Sequence, residues 1–397
     1  MKRAWALARS LEHIRVLAGS VLDHQALRRA VLTEVASIVP FDAFVWPLCD
    51  PRTTVGIAPR ARIPCPHELP TVIRLKYLSQ PARWTGLMTS SVPTLSLQQA
   101  TQGDPALSLM WRGVLKRYDV RDVLSVVFAD KHGCWAWLDL WRQGETGHFT
   151  EQETIYLAQI AAALTPGLRR STARQFRAGA ASDATVGLDL AARQDTPGLP
   201  GPPAGQVLTA GPDTGRQELP EQAVLTLNED LAVVGRTESV NKWLHLLQPG
   251  PSPHHHVPAE VLNVAAQLLA REAGVDDHDA ESRVHIGSGR WALLRANRIA
   301  PANGGSAPPL AVTIQSCMPS DRVEVFARAF SLTPRQRELL WLAAAGADTV
   351  TMADAEGVTP YTVQDQFKQI FLSCGVHSRA ALMAMALGTG WRSVSRA

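Results

Sequence analysis

The sequence LTPRQRELLWLAAAG, residues 332–346, opens the stretch that decides the fold of the C-terminal part of this chain. It is followed by TPYTVQD at residues 359–365 and by GVHSR at residues 375–379. Thr333 and Thr359 each precede a proline. A capping hydroxyl followed by proline favours a helix start, because the first helical turn leaves its N–H groups unpaired. Each threonine therefore predicts the beginning of a helix.

Gly346 and Gly357 are predicted to end the first two helices, the second of which starts at Asp348 or Thr349. The third helix carries four apolar side chains spaced i, i+4, i+7 and i+8, which places them on one face: Val363, Phe367, Ile370 and Phe371. Ser378 caps a fourth helix with three apolar residues: Leu382, Met385 and Leu387. Two short helices joined by a tight turn, the second starting with polar residues, are typical of a helix-turn-helix that enters a major groove.

This stretch resembles the LuxR-type helix-turn-helix without a gap from residue 332 to residue 387. The LTPR opening, Gly346, the PYTV of residues 360–363 and the GVHSR of residues 375–379 fall in register with that family. The sequence PYTVQD of residues 360–365 resembles the corresponding segment of large multidomain regulators of actinobacteria. The resemblance implies an all-α, four-helix DNA-binding domain at residues 331–397.

The resemblance also implies which residues contact double-stranded DNA. In the similar domains Gln364, Asp365 and Lys368 face the groove, and Thr362 and Val363 lie at its entry. The full set of expected DNA-binding residues is Thr359, Tyr361, Thr362, Val363, Gln364, Asp365, Lys368 and Arg379. Because the fourth helix pairs across a two-fold axis in this family, we expect a homodimer on DNA.

The charge of this segment leaves an alternative open. Residues 331–397 contain six Lys or Arg and five Asp or Glu. Neutralised phosphates supply most of the non-specific affinity for DNA, so a single copy should bind weakly. The family usually has Lys at the position of Gln364 and a basic end to the third helix, where this chain has Leu372 and Ser373. The alternative is a sensor or interaction protein whose retained helix-turn-helix no longer binds DNA.

Length and composition favour a soluble, multidomain protein. The 397 residues suffice for two or three domains with their own cores, and 46% hydrophobic with 19% charged residues is a globular composition. The five cysteines form no Cys-x-x-Cys pair, which predicts reduced thiols, no disulfide framework and no zinc site. No run approaches the ~20 apolar residues that cross a bilayer. We therefore expect a cytoplasmic protein that does not bind membranes.

Residues 1–177 predict a first α+β domain. Residues 1–39 read as two helices, with Asp23 capping the second, and Phe41–Leu48 as a strand. A helix is expected over residues 69–78, whereas residues 51–66 read as loop and residues 81–105 as irregular. Thr150 and Glu153 form a predicted capping box before a helix over residues 151–170.

A hairpin is predicted from Val123–Phe128 and Cys134–Trp141, whose turn ends at Gly133. Its second strand is apolar on both faces, with Trp135, Trp137 and Trp141 expected on one of them. The order of elements resembles a GAF-like sensor domain. That resemblance makes the three tryptophans a candidate pocket for an unidentified small molecule; the alternative is that they are ordinary core residues.

Residues 178–218 are rich in Pro and Gly and are predicted to be a flexible linker. The strands and helices expected in residues 219–318 follow the order of a PAS-like α+β domain, with no cofactor signature. His254, His255 and His256 lie between prolines, so a solvated loop is favoured over a metal site. Residues 319–330 are predicted to form a helix that connects this domain to the helix-turn-helix.

Three functions compete on this reading. A one-component, sequence-specific transcription regulator fits the sensor-like domains and the helix-turn-helix. A phosphorelay response regulator needs a receiver domain with an acidic pair, a phosphoacceptor Asp and a later Lys, and residues 1–170 do not offer that order. An enzyme is the third reading, but no nucleophile elbow, phosphate loop or metal-ligand spacing is present, so we expect no catalytic residues.

Overall fold

Two antiparallel five-stranded sheets and a C-terminal helical region form the architecture of this chain in a computed structural model. The structure describes residues 2–80, 83–192, 219–248, 257–300 and 308–388, with side chains from residue 5 onward and none over residues 178–192. This mixed α/β organisation agrees with the multidomain α+β architecture expected from the sequence. The histidine run at residues 254–256 lies outside the described ranges.

The first sheet has the strand order β2-β1-β5-β4-β3. Its strands are β1 Ala43–Cys49, β2 Gly56–Arg62, β3 Thr94–Ser96, β4 Val120–Asp130 and β5 Gly133–Gln143. The helices around it are α1 Lys2–Gly19, α2 His24–Ile38, α3 Leu69–Leu78, α4 Trp84–Thr89, α5 Leu97–Ala100, α6 Leu109–Gly113 and α7 Glu151–Ala192. We call this part, through residue 177, the first sheet unit.

Several predicted features of this unit are confirmed. Asp23 caps α2, its Oδ1 accepting from the backbone N of Gln25 at 2.7 Å. The β4–β5 hairpin closes at Gly133, whose φ of 140° favours glycine. The capping box before α7 also forms, since Glu153 accepts from the Thr150 N–H at 2.8 Å. Each of these features involves residues that are close in sequence, which explains why the sequence alone predicts them.

Two predictions for this unit are wrong. The segment 51–66, expected to be loop, contains β2, an edge strand that pairs with β1 and whose residues are exposed or half-buried except Gly56. An edge strand tolerates Pro59 because its outer N–H groups need no partner. The segment 81–105, expected to be irregular, contains α4, β3 and α5 in its described part.

Helix α7 is longer than predicted. It runs to Ala192 instead of ending near residue 170, and it includes Pro166. The predicted linker therefore starts too early, because residues 178–192 are helical. Residues 193–218 lie outside the described ranges. Next to the proline, Gly167 lies against α1 so closely that an added Cβ would sit 2.9 Å from the Ala18 backbone.

The second sheet unit has the strand order β7-β6-β10-β9-β8. Its strands are β6 Ala223–Leu227, β7 Val233–Arg236, β8 Glu281–His285, β9 Trp291–Arg298 and β10 Leu310–Ser316, and its helices are α8 Val240–Leu247 and α9 Ala259–Glu272. Ten of the 14 residues of α9 are buried, because this helix packs on α3 and β2 of the first unit as well as on β9 and β10 of its own.

Buried ion pairs join the two sheet units. Arg283 on β8 reaches Asp50 after β1, with Nη1 and Oδ2 2.9 Å apart and both side chains almost fully buried. Arg83, just before α4, pairs at 2.9 Å with Asp276, which follows α9. Breaking either pair would leave a charge buried without its partner, which costs about 3–5 kcal/mol. These contacts therefore fix one unit on the other.

The C-terminal region consists of α10 Pro319–Ala329, α11 Pro334–Ala344, α12 Thr349–Glu356, α13 Pro360–Cys374 and α14 Arg379–Leu387. Over the described ranges, no single helix is long and apolar enough to cross a membrane. Helices α13 and α14, bent by 55° at their junction, reach the required length and composition only when taken together.

Candidate nucleic-acid interface

Side-chain caps start helices α11 to α14, as their sequences predict. Thr333 and Gln336 form a reciprocal capping box at α11. The backbone N–H groups of Thr351, Thr362 and Ala381 donate to three further caps, which are Asp348 at 2.8 Å, Thr359 at 3.2 Å and Ser378 at 3.1 Å. Positive φ angles at Gly346, Gly357 and Gly375 terminate α11, α12 and α13. The starts of these four helices, and the ends of α11, α12 and α13, are thus fixed locally.

Helix α13 separates an apolar face from a polar one. The buried residues are Val363, Phe367, Ile370 and Cys374, and Phe371 is half-buried. Gln364, Asp365 and Lys368 are exposed on the outer face. Val363 is fully buried, so its expected position at the groove entry is wrong. The helical spacing of Val363 with Phe367 and Ile370 already indicated a core position.

Three residues at the start of α13 differ in accessibility. Thr359 is exposed, and its hydroxyl lies 3.0 Å from the half-buried Thr362 hydroxyl. Tyr361 is 73% exposed, and the Lys368 ammonium lies 5.9 Å from its ring centroid. A phenol and a cation are thus presented side by side with Gln364 on the outer face of the helix.

Arg379 has a structural contact instead of a free charge. Its guanidinium donates to the Ala347 carbonyl before α12 and lies 5.6 Å from the Phe367 ring. Burial lowers the pKa of this guanidinium. Arg379 therefore joins the start of α14 to the turn before α12. The expectation that it contacts DNA is not supported by this placement.

The positive charge available to DNA is small. Arg337 pairs with Glu324 at 3.0 Å, and Arg335 approaches Glu356 at 3.9 Å. Within residues 331–388, Lys368 is the one Lys or Arg with neither an ion pair nor a hydrogen bond. Since non-specific affinity grows with the number of phosphates neutralised, this surface should bind DNA weakly and with a shallow salt dependence.

Helix α14 is covered by the rest of the chain. It packs against α10 and α7 as well as α11 and α13, and five of its nine residues are buried: Leu382, Met383, Met385, Ala386 and Leu387. The Arg322 guanidinium of α10 donates to the Leu387 carbonyl at 3.4 Å. Arg177 of α7 donates to the Cys374 carbonyl at the end of α13, at 3.2 Å.

Four aromatic rings connect the two sheet units to this helical region. We call Phe176, Trp291, Phe326 and Phe330 the junction cluster. Phe176 on α7 is its centre, 4.8 Å from the Trp291 ring and 5.3 Å from the Phe326 ring. The Arg322 guanidinium lies 5.4 Å from the Phe176 ring. One side chain of α7 thus contacts both β9 and α10, an arrangement for which the sequence carries no local signal.

The three tryptophans of the candidate pocket do not share one face. Phe128 pairs with Ala136 and Ala129 pairs with Cys134, so Trp135 is the extra residue of a β-bulge. The bulge turns Trp135 toward the side of α7, where its Nε1 donates to Asp130 at 3.0 Å. Trp137 and Trp141 line a cavity of about 120 Å³ on the opposite side. The expected grouping is therefore wrong for Trp135.

A scan against models of known protein families gives no match for this chain, and a search of curated proteins gives none either.

Proposed function

We propose that this chain is a sequence-specific DNA-binding transcription regulator in which the two sheet units control the C-terminal helix-turn-helix. The observation that carries the proposal is the outer face of α13, where Gln364, Asp365 and Lys368 are exposed while Val363 and Ile370 fix the helix to its core. A helix anchored on one side with polar side chains on the other suits the major groove. A regulator of this kind acts where the DNA is, so we expect a cytoplasmic protein.

Each exposed side chain has a chemical partner on DNA. Glutamine can pair bidentately with adenine, and a carboxylate can accept a hydrogen bond from the cytosine amino group. The Lys368 ammonium can neutralise one phosphate. Gln364 and Asp365 therefore supply sequence preference, whereas Lys368 supplies affinity.

We further propose that two copies bind DNA at half-sites about one helical turn apart. Pairing through α14 would use the residues of this helix that stay accessible, Ala380, Ala381 and Ala384, or would require α14 to leave α7 and α10. Control of DNA binding by the sheet units would then act on the contacts that Arg177 and Arg322 make with this region.

Selection of duplexes from a random pool by the full chain tests the proposal. Wild type should enrich one sequence, and Gln364→Ala should relax one base position at a cost of about 1–3 kcal/mol against the preferred site. Gln248→Ala, at an exposed glutamine after α8, is the matched control and should select the wild-type sequence. Failure of wild type to enrich any sequence contradicts the proposal.

A second candidate function is a protein-interaction module without DNA binding. It is favoured by two exposed apolar side chains on the outer face of α13: Tyr361 is 73% and Leu372 is 75% exposed. They flank Lys368 along one face at helical spacing. Absence of enrichment by a folded wild-type chain would select this alternative over the first.

A further inference from the structure

A cleft of about 290 Å³ lies between the β4–β5 turn and the junction of α10 with α11. The turn forms one wall, and the other wall comes from Arg328 of α10 and from residues 331–334 and 337. Arg328 also ties the two walls together, since its Nη1 donates to the His132 carbonyl at 3.0 Å. We call this space the basic cleft, and its polar lining residues are Lys131, His132, Arg328, Ser331, Thr333 and Arg337.

The basic cleft carries a net positive charge. Lys131, Arg328 and Arg337 line it, and no Asp or Glu belongs to the lining that the structure describes. Glu324 is not part of the lining, but its Oε1 accepts from Arg328 Nε at 2.6 Å and from Arg337 Nη1 at 3.0 Å. One carboxylate against these three cations leaves a net charge of +2. Since a cleft lined by charge of one sign concentrates counter-ions, its ligand should be an anion.

Several donors of the basic cleft are unused by the protein. The Lys131 side chain is exposed and has neither an ion pair nor a hydrogen bond among the described residues. Arg337 uses only Nη1 in its ion pair, and the Ser331 hydroxyl has no partner within the same ranges. Hydrogen bonds from cationic donors to a phosphate are roughly twice as strong as bonds between neutral groups. The cleft therefore offers ammonium, guanidinium and hydroxyl donors to an anion.

His132 contributes a neutral ring and not a fourth charge. Burial lowers the pKa of His132, and the charges of Arg169 and Lys131 lower it further against the opposing effect of Asp130. The imidazole is therefore mostly neutral at pH 7. Asp130 does not cancel the charge of the cleft, because its carboxylate is paired with Arg169.

We propose that the basic cleft binds a small phosphate monoester. Such a phosphate carries a charge of about −1.5 to −2 at pH 7, which matches the net charge of the cleft. The volume corresponds to on the order of ten water molecules at ~30 Å³ each, which is more than a bare phosphate ion needs. The organic part of the ester packs against Leu332 and Pro334, the apolar residues of the lining.

A bound ester would contact two parts of the fold at once. The β4–β5 turn belongs to the first sheet unit, whereas residues 328–337 join α10 to α11. The volume is that of a small-molecule site and does not admit a DNA duplex. This site stands apart from the proposed DNA binding, since its occupation is measured without DNA.

The test compares phenyl phosphate with phenyl sulfate on the full chain by calorimetric titration at constant ionic strength. The two probes share a ring and a tetrahedral anionic group, but the sulfate carries only one negative charge. Phenyl phosphate should bind at one site per chain. It should bind about tenfold more tightly than phenyl sulfate, because its second charge interacts with a cleft of net positive charge.

Three variants locate the site. Lys131→Gln removes a charge without breaking a contact and should weaken phenyl phosphate binding by about tenfold. Arg337→Gln should also weaken it, and Glu324 keeps Arg328 as its partner in that variant. Lys242→Gln is the matched control, because Lys242 is an exposed lysine of α8 outside the cleft. It should bind the probe as wild type does.

Four results would overturn the proposal. Phenyl phosphate does not bind, phenyl sulfate binds equally well, or Lys131→Gln binds the probe as tightly as wild type. The fourth result is displacement of bound phenyl phosphate by duplex DNA, which would assign these cations to the DNA backbone.

Discussion

Replacing Phe176 by alanine should loosen the contact between the sheet units and the C-terminal helices. The Phe176 side chain is 1% exposed and lies at the centre of the junction cluster. Its ring stacks on Trp291 of β9 and meets Phe326 of α10 edge-on. Removing it leaves a cavity between three elements that no neighbouring side chain can fill without moving.

The expected loss in the free energy of unfolding is about 3–5 kcal/mol, the usual cost of a buried Phe→Ala substitution. Part of that cost should appear locally, because the ring also supports Arg322, whose guanidinium donates to the end of α14. If ~1.4 kcal/mol is lost from this docking, its opening equilibrium rises about tenfold. Phe176→Leu keeps most of the volume and should lose less.

Native-state hydrogen exchange of the α13 and α14 amides reports the local effect. Phe128→Ala is the control, because Phe128 is also 1% exposed and stacked on a tryptophan, Trp46, but lies in the first sheet. Both variants should unfold at similarly reduced denaturant concentrations. Only Phe176→Ala should speed exchange in α13 and α14 by about tenfold or more. Equal exchange in the two variants would refute the role assigned to the junction cluster.

Two further changes are predicted for the sheet units. Burial raises the pKa of Glu260 from 4.5 to about 7, so this group makes wild type less stable as pH rises from about 4.5 to 7. The free energy of unfolding of Glu260→Gln, relative to wild type, should therefore rise by about 3 kcal/mol between pH 4.5 and pH 7. Urea titrations at each pH measure this difference, and a difference that does not change with pH would contradict the prediction. Burial lowers the pKa values of His24 and His285 to about 4, so these two groups make the protein more stable as pH rises. Their contribution is present in both proteins and cancels in the difference between variant and wild type. Gly167→Ala should destabilise the protein by about 1–3 kcal/mol despite a better helix propensity, because its Cβ would meet the Ala18 backbone at 2.9 Å. A thermal unfolding midpoint at or above that of wild type would show that α1 can move away from the added methyl group.

Local sequence signals predicted much of the fold. The caps Asp23, Thr333, Thr359 and Ser378 form because each needs only a backbone N–H two or three residues away. The hairpin at Gly133 was predicted for a similar reason. The predicted end of helix α7 is too early, because the Pro and Gly content after residue 177 favours a linker, whereas the helix continues to Ala192.

Non-local contacts explain what the sequence could not predict. The bulge at Trp135 arises from how β4 pairs with β5, which alternation of side chains along one strand cannot reveal. Arg379 carries the charge expected of a DNA contact, yet its partner Ala347 is distant in sequence. The contacts of α14 with the rest of the chain include Arg322, which meets the junction cluster only in the folded chain.

The salt dependence of duplex DNA binding by Lys368→Ala tests the proposed DNA-reading role of α13 most directly. Lys368 is exposed and unpaired within residues 331–388, so its loss should weaken binding to any duplex and lower the slope of log affinity against log salt by about one. Lys242→Ala, at an exposed lysine of α8, should change neither the affinity nor the slope. Equal affinities and slopes for wild type and Lys368→Ala, with the fold intact, would show that the outer face of α13 does not contact DNA.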